Sequence, residues 1–366
     1  AESVAVLTPV EVGTLYYVST DGSATVVGQI TVKYQQCTSV DSSGTVKLDK
    51  SCTLKQTITL SGDLTIEAEA TASRRFKLRG GNKIILSGDN LHRHFIVKNG
   101  YKLTLKNLDV KEGYSDGDGG AIYVDNGEVN IENSILRDNN VASGKKGGAI
   151  FAKTSAIVSI SGSTIENNKA PGGSGGAVYL DQADVANNKA VGVTIGSSTI
   201  KGNQADEGGS ISLGKESSLT CTSCVFDENI GKHGGAVYAS EKNNLDIRES
   251  EFKNNKATQN YGGAIESLSC SSMELSKVTF DGNEAEEGGG GIYSSYESGD
   301  HTCVNTILEI NFQNNLVKST GKKGGAAMHL GAASSALAAK QQHTVTASNF
   351  TNNKVDSTNN DVSWNE

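Results

Sequence analysis

Two short marks alternate along this chain, and their spacing restricts its possible folds more than any other feature. The first is Gly-Gly, then a small residue, then an aliphatic one: Gly119-Gly120-Ala121-Ile122, repeated from Gly147, Gly175, Gly208, Gly234, Gly262, Gly289 and Gly324. The second is an apolar residue with asparagine three places on: Leu136/Asn139, Ile165/Asn168, Ile200/Asn203 and Phe226/Asn229, then Phe252/Asn255, Phe280/Asn283, Phe312/Asn315 and Phe350/Asn353. Most asparagine steps lie between 26 and 29 residues, and three are longer. A period in this range describes a solenoid in which each turn stacks on the one before it.

The segments between the glycines decide what kind of solenoid. VNIENSI, VSISGST, LDIRESEF and LEINF alternate apolar and polar residues with period two, are short and are rich in β-branched residues, which describes strands rather than helices. The predicted fold is all-β: a single-stranded right-handed parallel β-helix of about 11–13 coils, roughly 50–60 Å long at the strand spacing.

Aligning the coils separates inward from outward positions. Five residues before the second mark stand Ile131, Ile160, Ile195, Cys221, Ile247, Leu275, Ile307 and Val345. Ile122, Ile150, Val178, Ile211, Val237, Ile265, Ile292 and Ala327 follow the small residue. Both columns are apolar throughout, as an enclosed wall requires. Each large side chain buried there contributes roughly 1.5–3 kcal/mol, so a coil is stable only against its neighbours. The asparagines Asn139, Asn168, Asn203, Asn229, Asn255, Asn283, Asn315 and Asn353 are read as a structural ladder bonded at a turn. The glycines provide positive φ or close backbone approach.

One column reads differently: Tyr123, Phe151, Tyr179, Ser212, Tyr238, Glu266, Tyr293 and Met328. Because it accepts Ser and Glu, it is expected to face outward. Its aromatic members Tyr123, Phe151, Tyr179, Tyr238 and Tyr293 would then form an interrupted stripe able to stack on sugars or anchor a protein.

Composition removes several function classes. The formal charge of −8 argues against a nucleic-acid or anionic-membrane surface, and pairs such as Lys145-Lys146 and Lys322-Lys323 read as solvated loops. With 43 Gly but only 2 Pro, the chain is not collagen-like and has no Pro-rich linker. No apolar run approaches the roughly 20 residues of a membrane helix. AESVAVLTPVEVG at the N-terminus lacks the basic start and apolar core of a signal peptide. Residues 1–366 are read as one domain, with a cap and first strands over 1–55, irregular coils over 56–118 and repeat coils over 119–366. Six cysteines suit an oxidising compartment. Cys37 and Cys52 are expected to pair within the cap, and Cys270 and Cys303 between adjacent coils. Cys221 and Cys224 are read as buried thiols or a local disulfide. Asn349-Phe350-Thr351 permits N-glycosylation at Asn349.

At these motifs the sequence resembles the right-handed parallel β-helix (pectin-lyase-like) family. Its GGAI and FxxN marks are similar to polymorphic outer-membrane protein repeats over about residues 119–355. The resemblance implies a surface-displayed passenger domain acting in adhesion.

Many β-helix proteins act on acidic polysaccharides, which makes chemistry on the rod the competing expectation. A hydrolase resembling polygalacturonases needs clustered aspartates, Gly-His-Gly and an Arg-x-Lys element; neither Gly-His-Gly nor Arg-Ile-Lys occurs here. GKHGG places His233 on the repeat mark itself. The best candidate for Ca²⁺, a weak one, is the pair Asp116 and Asp118 in SDGDGG; the preferred reading is a solvated turn. His92 and His94 stand two apart and are read as surface residues. His233, His301, His329 and His343 are scattered, and no cofactor is expected. The reading is therefore a secreted or cell-surface structural or adhesive protein that binds a protein or glycan, or subunits of its own assembly, with an oligomer or filament open to it. The alternatives are a polysaccharide-active enzyme (lyase, hydrolase or epimerase) and a lectin-like module using the tyrosines.

Overall fold

The computed structural model describes residues 36–37, 40–69, 83–182, 191–297, 301–318, 325–332, 335–338 and 341–355. Residues 1–35 of the expected cap, and Lys322-Lys323, lie outside them. One coil shows the plan. After the Gly119-Gly120 turn the chain forms a strand at Ile122–Asp125, a second at Glu128–Glu132, a third at Ile135–Arg137 and a short fourth at Asn140–Val141. Each pairs in parallel with the equivalent strand one coil away. The result is a right-handed parallel β-helix with four sheets of 10, 11, 11 and 9 strands, hereafter the first to fourth sheets. Eleven rungs at about 4.8 Å give a described rod about 48 Å long.

The first three sheets enclose the core. Ile131, Ile160, Ile195, Cys221, Ile247, Leu275 and Ile307 pair in register along the second sheet and are buried. Phe226, Phe252, Phe280 and Phe312 stack face to face along the third, with centroids 4.4–5.0 Å apart. The last repeat departs from the sequence alignment. Met328, not Ala327, pairs with Ile292, so the neighbour of Tyr293 is His329, not Met328. Four consecutive glycines, Gly288 to Gly291, make the preceding mark ambiguous, and backbone pairing resolves it.

The paired glycines have separate jobs. Gly147 sits at φ +68°, where a side chain is strained. Gly148 lies so near the next coil that a Cβ would collide with the carbonyl oxygen of Gly176. The turn thereby packs backbone on backbone. Behind it the fourth sheet buries Val141, Ala170 and Ala205 in a small second core.

The asparagine ladder closes the corner between third and fourth sheets. Nδ2 of Asn168 donates to Oδ1 of Asn203 and to the Leu136 carbonyl, both at 3.0 Å, and its backbone N–H donates to the same Oδ1. The pattern repeats from Asn139 to Asn353. A second ladder, not anticipated, lies one corner earlier: the N–H groups of Leu108, Ser134 and Ser163 donate to the hydroxyls of Ser134, Ser163 and Ser198.

Candidate functional site

The aromatic column on the first sheet is the only sequence-level binding candidate of any length, and the structure corrects it. The column pairs in register from Tyr123 to His329, but it is not an open stripe. Phe151, Tyr179 and Tyr293 are buried, and Tyr123 and Tyr238 are half-buried. Side chains from several of the preceding loops fold back over this column. Lys146 Nζ lies 4.3 Å from the Tyr179 ring centroid and donates to its hydroxyl at 2.8 Å. Arg93 covers Tyr123, and Tyr261 stacks on Tyr293 at 4.1 Å. Tyr123, Phe151 and Tyr179 stack on one another at 5.3 and 5.6 Å. Lys146 is accordingly packing material rather than a solvated loop residue.

Ser212 and Glu266 do not mark exposure either; both are buried. Glu266 is tolerated because it has partners. Nδ1 of His233 lies 3.2 Å from each of its carboxylate oxygens, and the Gly234 N–H donates to Oε2 at 3.2 Å. Nε2 of His233 faces Asn260 Nδ2 at 2.8 Å. The hydrogen bond to Glu266 raises the imidazole pKa against its own desolvation, while desolvation raises the Glu266 carboxyl above its ordinary range. Neither residue stands out in the sequence, since one sits on the repeat mark and the other replaces an aromatic.

The remaining ionisable candidates are engaged elsewhere. Asp118 Oδ1 accepts the Lys146 N–H at 2.9 Å, and Asp116 Oδ1 accepts the Tyr114 hydroxyl at 3.0 Å. No group of three or more His, Cys, Asp or Glu side chains able to hold a metal ion occurs among the described residues, so the Asp116/Asp118 pair gains no further ligand of these types. The loop acids are paired as well: Asp206 with Lys232 at 2.6 Å, and Glu284 with Lys256 and Lys318 at 2.8 and 2.6 Å.

His94 is not a surface residue but fully buried, which corrects the reading of His92 and His94 as a surface pair. It occupies the small-residue position of its coil, where its N–H bonds the Ala121 carbonyl. That coil has Gly113 where the eight following coils have a ladder asparagine. Nε2 of His94 reaches the Leu86 carbonyl at 3.2 Å, taking the place of the missing amide. Burial lowers its pKa to about 4.

The cysteines form three bridges: Cys37–Cys52, Cys221–Cys224 and Cys270–Cys303. Asn349 is exposed on the last strand of the third sheet, with Nδ2 bonded to Asn311 Oδ1 at 3.2 Å.

What stays open includes the outer surface of the second sheet. On the second sheet one outward row reads Ser159, Thr194, Thr220, Asp246, Glu274 and Thr306 from coil to coil. The same sheet carries cross-strand ion pairs such as Lys102–Glu128 and Arg248–Glu274.

Comparison with known proteins agrees with this architecture. The family model for a right-handed β-helix region matches residues 93–274. The model for the Chlamydia polymorphic membrane protein repeat matches residues 277–295. Among solved structures, a variant catalytic domain of a GH87 alpha-1,3-glucanase in complex with tetrasaccharides is similar with a TM-score of 0.34 and 8% identity. That likeness covers 84% of this chain and 64% of the glucanase chain, and is too slight to bear on activity. No curated protein matches the sequence.

Proposed function

Because this chain is a right-handed parallel β-helix with repeats of the Chlamydia polymorphic membrane protein type, we propose that it is displayed at a cell surface and acts as an adhesive scaffold. One observation carries the reading. The residues that repeat are taken up in holding coil to coil, whereas the outward rows of the second sheet change from strand to strand. A long, flat, variable face on an invariant spine suits recognition of an extended partner, a protein or glycan on another surface. Three disulfides favour an oxidising setting outside the cytoplasm, and the exposure of Asn349 would leave its sequon open to glycosylation in a eukaryotic source.

Binding of the purified protein to intact cells and to immobilised matrix proteins and glycans tests this directly. Saturable binding is expected. Charged substitutions at exposed Thr194 and Thr222 should weaken it without moving the unfolding midpoint, whereas Tyr179→Ala should lower the midpoint. Reproducible new reducing ends or unsaturated products from uronate polysaccharides would overturn the scaffold reading.

A further inference from the structure

One imidazole is gripped by two side chains of the neighbouring coil. His233 precedes the Gly234-Gly235 turn, and Asn260 and Glu266 flank the next turn at Gly262-Gly263. The corresponding positions of other described coils hold Asp118, Lys146, Ser174, Glu207, Tyr261 and Gly288, so among the described residues a histidine stands there at this step alone. The Glu266 side chain is 2% exposed and that of His233 is 37% exposed. Solvent therefore reaches the pair through the ring and not through the carboxylate.

We propose that His233, Asn260 and Glu266 form a proton-operated clasp between adjacent coils, tight while the imidazole is charged and loosened as it deprotonates. With an imidazolium present, the buried carboxylate has a full counter-charge and both ring nitrogens donate, one to Glu266 and one to Asn260 with its amide oxygen turned inward. With a neutral ring, Asn260 follows the proton by presenting Nδ2 to Nε2, but Glu266 cannot adjust. It remains a buried anion held by two N–H groups, an arrangement that desolvation penalises.

The surrounding charges act in the same sense. From the preceding coil Asp206 and Glu207 favour the imidazolium, although Asp206 is already paired with Lys232. Tyr238 meets the ring edge-on at 5.9 Å, and burial pushes its phenol upward, as it does those of Tyr261 and Tyr293 near Glu266. All three therefore stay neutral while His233 titrates. A histidine whose folded pKa is raised contributes stability that is complete below its unfolded pKa. That stability is lost as pH rises through the folded value.

Hydrogen exchange of the full chain, read by mass spectrometry over peptides spanning 257–266 and corrected for intrinsic rates, tests the clasp. Protection in the native protein should fall severalfold from about pH 6 to about pH 9, while peptides over 147–151 stay level. In Glu266→Gln the dependence over 257–266 should vanish. A level native profile, or the same fall in Glu266→Gln, overturns the proposal. Should that variant not fold, imidazole NMR of the native protein decides: titration of His233 at or below the ordinary histidine range also overturns it.

Discussion

The side-chain amide of Asn229 donates to Oδ1 of Asn255 at 2.9 Å, and the backbone N–H of Asn229 reaches the same oxygen at 3.1 Å. Nδ2 of Asn229 also donates to the Ile200 carbonyl, and its own oxygen accepts both donors of Asn203. Every polar atom of the side chain is satisfied inside the rod.

Asn229→Ala should therefore strand several buried donors and acceptors at once. At about 1–3 kcal/mol for each orphaned group, a loss of about 3 kcal/mol or more is expected in urea unfolding. Asn353→Ala, at the last described rung and only half-buried, should lose clearly less. Equal losses would show that the ladder is not cooperative along its length.

The phenylalanine stack makes a similar contrast. Phe252 is fully buried between Phe226 and Phe280, while Phe350 ends the row 5.1 Å from Phe312 and is 41% exposed. Replacement by Ala should cost about 3–5 kcal/mol at Phe252 and roughly a third of that at Phe350, read from the same unfolding curves.

Lys277 adopts φ 55° at a corner where Gly162 stands, four coils earlier, at φ 56°. A branched or long side chain there strains the backbone, and glycine relieves the strain at an entropic cost. Lys277→Gly is expected to raise stability by about 0.5–1 kcal/mol, seen as a higher unfolding midpoint. Gly148→Ala should do the reverse and severely, because its Cβ would meet backbone.

His94 sets an acid dependence opposite in sign to that of the clasp. Burial lowers its pKa to about 4, below an unfolded value of about 6.5. The unfolded chain therefore binds the extra proton first as pH falls. Stability supplied by neutral His94 is complete above about pH 6.5 and is lost progressively towards about pH 4, on the order of 3 kcal/mol in all. Unfolding free energies across that range should show the decline, and His94→Gln should flatten it.

Much of this architecture was legible in the residues. Period-two strands, the Gly-Gly turns, the asparagine and phenylalanine rows and the Cys270–Cys303 bridge are repetitions, and stacking turns repetition in sequence into contact in space. The site was less legible. Glu266 in an aromatic column looked like evidence of exposure, because a carboxylate is stable in a core only with a partner. That partner, His233, lies one coil away, directly before the Gly234-Gly235 turn, where alternation does not say which way a side chain turns. His94 misled in the same way: its place follows from a glycine at Gly113, a residue missing from a row rather than one added to it.

The sequence by itself determined the coil, its inward columns and the need for neighbours, since apolar side chains spaced to one period are stable only when like stacks on like. Only the tertiary structure decided which outward residues remain open, because the loops that cover Tyr179, Tyr293 and Glu266 are placed by backbone packing between coils. A side chain's alternation assigns it a face; whether that face meets water depends on what folds back across it.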